Sequence, residues 1–277
     1  MSVRVSVIIP CYNQGHFIGE TLESIAESNA TNIEIIVIND GSTDPETNRI
    51  LAELNQETIT VVNQANAGLA AARNRGLKMA KGEFVLPLDS DNKIRSGYFK
   101  EGVQIMDSNP NVAVVYGNAE FFGQKSGEWK PGVFNLQKLM ISNYIDACAL
   151  IRKSVLDEVG FYDEKMKFMG WEDWDRWLRI SFAGYKFHYL DALTFDYRVQ
   201  SESMIRNLYD KYEKPNFLEN YIHEKYPDYM GHQWIINYFL VRFKSNPILF
   251  LSKLFIIAYF PAYHKKLLRK NKIRNGL

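Results

Sequence analysis

Ile35-Ile36-Val37-Ile38-Asn39-Asp40-Gly41-Ser42 is the stretch on which the fold turns. Successive side chains of a strand face opposite sides, so an unbroken β-branched run leaves neither side for water. Starting from Ile33, the run predicts a strand buried on both faces, as in a parallel sheet. It stops at a polar turn. Asp44-Pro45 then reads as the N-cap and first residue of a helix that continues to about Leu54.

The same alternation holds on either side. Val3 to Ile9 is a nearly continuous β-branched run that stops at Pro10, and helical spacing follows from about Phe17 to Ala26. Ile59 to Val62 predicts a third strand, Ala67 to Ala80 an alanine-rich helix, and Phe84 to Leu88 a fourth strand. The order βαβαβαβ predicts an open, mostly parallel α/β sheet flanked by helices, with right-handed crossovers. Such sheets bind ligands outside the carboxyl ends of their strands. Two of these ends carry acids here: Asp40, and the pair Asp89 and Asp91.

Farther along the chain, Ser96 to Asp107 predicts a helix, Val112 to Tyr116 a strand, and Phe121 to Phe134 a glycine-containing hairpin or loop. Ile145 to Ile151 predicts a strand, Ser154 the cap of a short helix ending at Gly160, and Trp171 to Ala183 a helix. Two strands, Phe187 to Leu190 and Thr194 to Val199, follow. No glycine-serine linker interrupts this region, so residues 1–205 are expected to form one catalytic domain and 206–277 a C-terminal helical extension. That extension contains an aromatic-rich segment, Gln233 to Phe243, and an apolar run, Ile248 to Tyr259. Then come Lys265, Lys266, Arg269, Lys270, Lys272 and Arg274 with no acid among them. The run is shorter than the roughly 20 residues a spanning helix needs. An apolar helix beside a basic tail is suited to lie on an anionic membrane surface, and is equally suited to pack on a core with a solvated basic end.

Composition narrows the function classes. The 277 residues are 46% hydrophobic and 23% charged, which suits a globular chain rather than a disordered or multi-span one. A balance of 33 basic against 32 acidic residues argues neither for nucleic acid nor for a membrane, and no nucleic-acid partner is expected. Two cysteines, Cys11 and Cys148, make neither a disulfide framework nor a structural zinc site. The opening residues lack the apolar run of a signal peptide, so activity is expected on the cytoplasmic side. There is no G-x-G, no G-x-x-x-x-G-K, no G-x-S-x-G and no H-E-x-x-H, so the dinucleotide, P-loop, hydrolase-elbow and zincin readings all fail.

What remains is an acid site for a phosphorylated ligand. Asp89-Ser90-Asp91 places two carboxylates at i and i+2 at a strand end, where they can hold Mg²⁺ or Mn²⁺ beside a diphosphate. Asp40 can accept from a ribose or a base N–H, or close an Asx turn. Pro10-Cys11-Tyr12-Asn13 ends the first strand at the same place. Arg73, on the alanine-rich helix, can pair with a phosphate or orient Asp89. In Trp171-Glu172-Asp173-Trp174-Asp175, a carboxylate can serve as general base and an indole face can pack on a sugar ring. The same residues also suit a helix start and a core.

In order along the chain, these residues resemble family 2 glycosyltransferases. The opening strand Val5 to Asn13, the turn Asn39-Asp40-Gly41-Ser42-Thr43-Asp44, and the run Asn66-Ala67-Gly68 through Arg73-Asn74 carry the likeness. So do Asp89-Ser90-Asp91 and Trp171-Glu172-Asp173, which brings it over residues 3–204. The resemblance implies a GT-A fold and a nucleotide-sugar donor, UDP-linked for preference. It implies that Pro10, Tyr12, Asn13, Asp40, Arg73, Asp89 and Ser90 bind the nucleotide. Asp91 would hold Mn²⁺ or Mg²⁺, and Asp173 would take the proton of an acceptor hydroxyl in an inverting displacement. Trp171, Glu172 and Trp174 would meet the sugar or the acceptor, a glycan or a lipid-linked one in surface polysaccharide or glycolipid synthesis. Relatives commonly carry Tyr-Arg-x-His after the late strand; here the stretch is Tyr197-Arg198-Val199-Gln200, so Gln200 stands where an imidazole would face the metal. A nucleotidyltransferase would want a glycine- and arginine-rich loop where Cys11-Tyr12-Asn13-Gln14 stands. A non-catalytic sugar-nucleotide-binding subunit is the other alternative.

Overall fold

The computed structural model describes residues 3–54, 59–166, 170–200, 221–230, 239–240, 243–244, 246–260 and 263. Four strands and three helices alternate in its first part: β1 (Val5–Cys11), α1 (Gly15–Glu27), β2 (Ile33–Asp40), α2 (Pro45–Glu53), β3 (Ile59–Gln64), α3 (Leu69–Met79) and β4 (Phe84–Pro87). The strands lie in the order β3-β2-β1-β4, all parallel. Every residue of β1 and β4 is buried. The expected helix start is present: the Asp44 carboxylate accepts from the Thr47 N–H at 2.9 Å, with Pro45 as the first helical residue. Helix α3 lies flat on the sheet because Gly76 has no side chain; a Cβ there would stand 2.4 Å from Ile8 Cγ2.

The later elements are β5 (Lys93–Ile94), α4 (Tyr98–Ser108), β6 (Val112–Gly123), β7 (Gly127–Trp129), α5 (Leu136–Ile141), β8 (Leu150–Arg152), α6 (Lys153–Val159), α7 (Glu172–Phe182) and β9 (Lys186–Val199). They continue the sheet as β8-β6-β9-β5, with β7 hairpinned on β6. Here the directions are mixed, because β8 is antiparallel to both β4 and β6, while β9 runs parallel to β6.

Three expectations change in this part. The strand predicted over 145–151 is confined to Leu150–Arg152. The backbone before it is held by side chains instead of a ladder: the Ile145 carbonyl accepts from Trp177 Nε1 at 3.0 Å, and Asp146 Oδ1 accepts from the Cys148 N–H at 2.9 Å. The two strands predicted over 187–199 are one, because β9 absorbs two extra residues as a bulge between Leu190 and Leu193. Asp191, in the bulge, accepts from Asn118 Nδ2 at 3.0 Å, and the bulge packs against Gly117, where a Cβ would stand 2.9 Å from the Ala192 carbonyl. The helix over 153–159 begins without a side-chain cap; Lys153 N–H donates to the Glu83 carbonyl at 3.0 Å, so Ser154 is not the cap.

Backbone packing groups Met1–Asn135 with Asn143–Ser201 in one unit, and Leu136–Ser142 with Glu202–Leu277 in another. In the second unit the apolar run forms a helix, Pro247–Tyr259, capped by Asn246, whose side chain accepts from the Leu249 N–H at 2.9 Å. Ile248, Leu249, Leu251, Phe255 and Tyr259 on it are exposed. Among the described residues no helix is long and apolar enough to cross a membrane. Most of the segment from Gln233 to Phe243, and all six basic residues of the tail, lie outside the described residues.

Candidate active site

Strands β1, β2 and β4 end side by side within the first unit, Cys11 beside Asn39 and Ile8 beside Pro87. The loops leaving them are stapled together by the polar residues that mark those ends. Asn13, at φ +55°, accepts from the Thr43 and Asp44 N–H groups at 2.8 and 2.9 Å and donates to Thr43 Oγ1 at 3.0 Å. Asp40 is buried and accepts from Gln64 Nε2 at 2.8 Å and from the Ala67 and Gly68 N–H groups at 2.9 Å. Tyr12 differs: its ring is 46% exposed at the mouth.

Strand β4 delivers Asp89 and Asp91 to the same end. Ser90 between them is buried, donates its hydroxyl to Gln14 Oε1 at 2.9 Å, and gives its carbonyl to Thr21 Oγ1 at 2.8 Å. The pair is thereby clamped to α1, with the Asp89 side chain 34% exposed. From the other side, β9 reaches Asp91 twice. Arg198 Nε donates to its carbonyl at 3.0 Å, and Gln200 Nε2 donates to its Oδ2 at 2.6 Å. Burial, with Asp89 adding repulsion, pushes the Asp91 carboxyl up to about 6.

Arg73 connects this edge to α7. Its Nη2 donates to Asp89 Oδ1 at 2.7 Å, and its Nη1 to Glu172 Oε1 at 2.8 Å and Asp173 Oδ1 at 3.5 Å. Burial alone works against its charge, but the surrounding carboxylates, together with Tyr162, hold Arg73 protonated. Asp173 also takes Arg176 Nη2 at 3.4 Å. Its side chain remains 15% exposed, whereas that of Glu172 is 2% exposed. Burial, then Asp173, raises the Glu172 carboxyl.

The remaining expected site residues are placed as follows. Arg73 pairs with Asp89, Glu172 and Asp173, an arrangement that suits the role of orienting Asp89. Glu172 is sealed beneath the site as its partner. Trp174 is 1% exposed and belongs to the core, with Trp171 packed edge-on against it at 5.2 Å. Pro10 is buried within β1, and the Ser90 and Asn13 side chains are spent on loop contacts. What the fold brings together around one opening is Asp89, Asp91, Asp173 and Gln200.

The model of Glycosyl transferase family 2 matches residues 6–160, more than half of the chain. The chain belongs to that family. A Rickettsia prowazekii "Uncharacterized glycosyltransferase RP339" is 31% identical over 79% of this chain and 70% of its own length. "Glycosyltransferase GlyG" of Streptococcus pneumoniae serotype 4 is 28% identical over 76% of this chain and 75% of its own. The chain spans only 41% of the length of an uncharacterized Rickettsia felis glycosyltransferase with which it is 27% identical. In fold it is similar to residues 1–349 of S. aureus TarS, with a TM-score of 0.59, 23% identity, and coverage of 74% of this chain and 63% of the other. TarS was also solved with UDP and with UDP-GlcNAc. The GT-A architecture implied by the family 2 likeness is the one observed.

Among the described residues, no three His, Cys, Asp or Glu side chains group closely enough to hold a metal by themselves. Magnesium-type sites in phosphate chemistry use one or two carboxylates and take their remaining oxygens from phosphates and water. Asp91 can supply one such carboxylate, while Gln200 meets it with its amide N–H rather than its oxygen. Two residues near the opening escape sequence reasoning. Asp146 is one: burial and then the charge of Asp89 push its carboxyl up to about 7. Tyr197 is the other, its hydroxyl raised by burial and by Asp146, Asp89, Asp91 and Asp173. Nothing local signals Asp146, because its place depends on how β8 returns along β4.

Proposed function

We propose that this chain moves a sugar from a UDP-sugar to a hydroxyl of a glycan or lipid-linked acceptor, with residues 1–205 as the catalytic domain. The observation that carries the reading is Arg73, which gathers Asp89 and Asp173 on one buried guanidinium. A donor-side carboxylate and an outward carboxylate of α7 are thereby held across one opening, where a group can be displaced from one side as a hydroxyl enters from the other.

Tyr12 supplies a ring for the nucleobase, and Asp40 retains acceptor capacity beside it. Asp173 takes the acceptor proton, worth about 10²- to 10⁴-fold in rate. The acceptor oxygen bonds to the anomeric carbon as the bond to the diphosphate breaks, with inversion. Asp91, with Gln200 beside it, would hold a divalent cation, which would supply positive charge for the departing diphosphate. The UDP and UDP-GlcNAc complexes of TarS support the donor class. A screen of UDP-sugars with Mn²⁺, reading UDP release with and without lipid-linked acceptors, tests the reading. Tight UDP binding without release for any donor would favour a sugar-nucleotide-binding subunit instead.

The exposed apolar side chains of the helix Pro247–Tyr259, followed in sequence by the acid-free basic tail, support attachment to an anionic membrane surface. Flotation with anionic vesicles should then be lost when the chain is cut after Pro247.

A further inference from the structure

Two polar side chains at the opening have no part in the reaction described so far: Asp146 and Tyr197. Strand β8 runs antiparallel to β4, with Arg152 opposite Phe84 and Ile151 opposite Val85. Residues preceding β8 therefore return alongside those that follow β4, and Asp146 arrives on the flank of Asp89. The segment is fixed by the helix that bears Asp173, since Trp177 of α7 holds the Ile145 carbonyl at 3.0 Å. Tyr197 enters from β9, opposite Phe121 of β6 and edge-on to its ring at 5.8 Å. The charges acting on its hydroxyl are Asp146 first, then Asp89, Asp91 and Asp173.

Accounting for partners separates these two from their neighbours. Asp89 and Asp173 have Arg73, and Asp91 has Gln200. Asp146 has no cation in contact; one of its oxygens accepts a backbone N–H and the other takes no hydrogen bond among the described residues. The Tyr197 hydroxyl neither donates nor accepts there. A phosphate is repelled by so many carboxylates. A neutral ring bearing adjacent hydroxyls suits the pair, donating to the Asp146 oxygen and accepting from the phenol.

We propose that Asp146 and Tyr197 read the hydroxyls of the transferred sugar and set which sugar the chain accepts. This rests on the UDP-sugar reading above and adds the part of the donor that the nucleotide contacts leave undetermined. Sites built to hydrogen-bond a hydroxyl reject analogues that cannot complete the bond, because a buried polar group is then left unpaired.

The test is calorimetric titration of the full chain in Mn²⁺ with UDP, UDP-GlcNAc, UDP-glucose and UDP-galactose. Wild type should prefer one sugar by about tenfold or more. In Asp146→Ala and Tyr197→Phe the three UDP-sugars should converge to within about threefold, while affinity for UDP itself stays within about twofold. Asp146→Asn keeps an oxygen for the Cys148 N–H and should recover part of the preference, which separates sugar contact from a disturbed loop. A sugar preference that survives both Asp146→Ala and Tyr197→Phe overturns the proposal. So does a fall in UDP affinity as large as the fall in UDP-sugar affinity. Wild type that binds none of the four ligands removes the donor reading itself, and the proposal with it.

Discussion

The block β3-β2-β1-β4 and the block β8-β6-β9-β5 share one sheet but hold their backbones by different means. In the first, parallel strands pair with each other, β1 and β4 wholly and β2 mostly buried, and α2 starts at the Asp44 cap with Pro45 as its first residue. In the second, side chains interrupt the ladders: Trp177 takes the Ile145 carbonyl, Asp146 turns on Cys148, and Asp191 sits in a bulge against Asn118. The first block is a platform of strand ends. The second brings residues over that platform by contacts distant in sequence, and most of the candidate chemistry lies where the two meet.

The connection between the blocks is the place to strike hardest. Arg73→Ala leaves Glu172 buried without its partner and should cost about 3–5 kcal/mol, read by urea denaturation. UDP release should vanish with it, because Asp89 and Asp173 lose their common anchor. Loss of activity with unchanged stability would mean that the blocks are held together elsewhere. Asp173→Asn asks the narrower question. Its carboxylate is partly exposed and only distantly paired, so stability should shift by about 1 kcal/mol or less. Sugar transfer should nevertheless fall by about 10²- to 10⁴-fold in a turnover assay. Near-wild-type turnover would displace Asp173 from the role of base.

Asp91, on the seam, carries a pH signature. Its carboxyl stands at about 6 in the folded chain against an ordinary 3.8, so folding favours its protonated form. Wild type should therefore lose stability from this group as pH rises from about 4 to about 6, and no further above that. Asp91→Asn cannot ionise. Its advantage over wild type in urea melts should be near zero at about pH 4 and grow to roughly 1–3 kcal/mol by pH 7. The smallest effect belongs to the first block alone. Asp44→Ala removes the α2 cap and should cost about 1 kcal/mol with turnover unchanged.

How much was legible follows the same division. The strand-turn-helix units around Ile38, and the strand-end pair Asp89 and Asp91, could be read directly, because burial on both faces and capping chemistry are local properties. Arg73, Glu172 and Trp174 could be recognised as belonging to the site's neighbourhood but not assigned to the right side of its wall. An arginine has the same composition whether it meets a phosphate or two carboxylates.

The sequence by itself determined the parallel block, the strand ends where its acids gather, and the family to which they belong. Hydrophobic period and turn residues act within a few positions, so they need no knowledge of the rest of the chain. Only the tertiary structure decided that one buried guanidinium joins Asp89 to Asp173, that Gln200 reaches Asp91, and that one Asp146 oxygen and the Tyr197 hydroxyl take no hydrogen bond among the described residues. Those contacts join residues as many as 109 positions apart, and the return path of the chain, not any local preference, brings them within a hydrogen bond of one another.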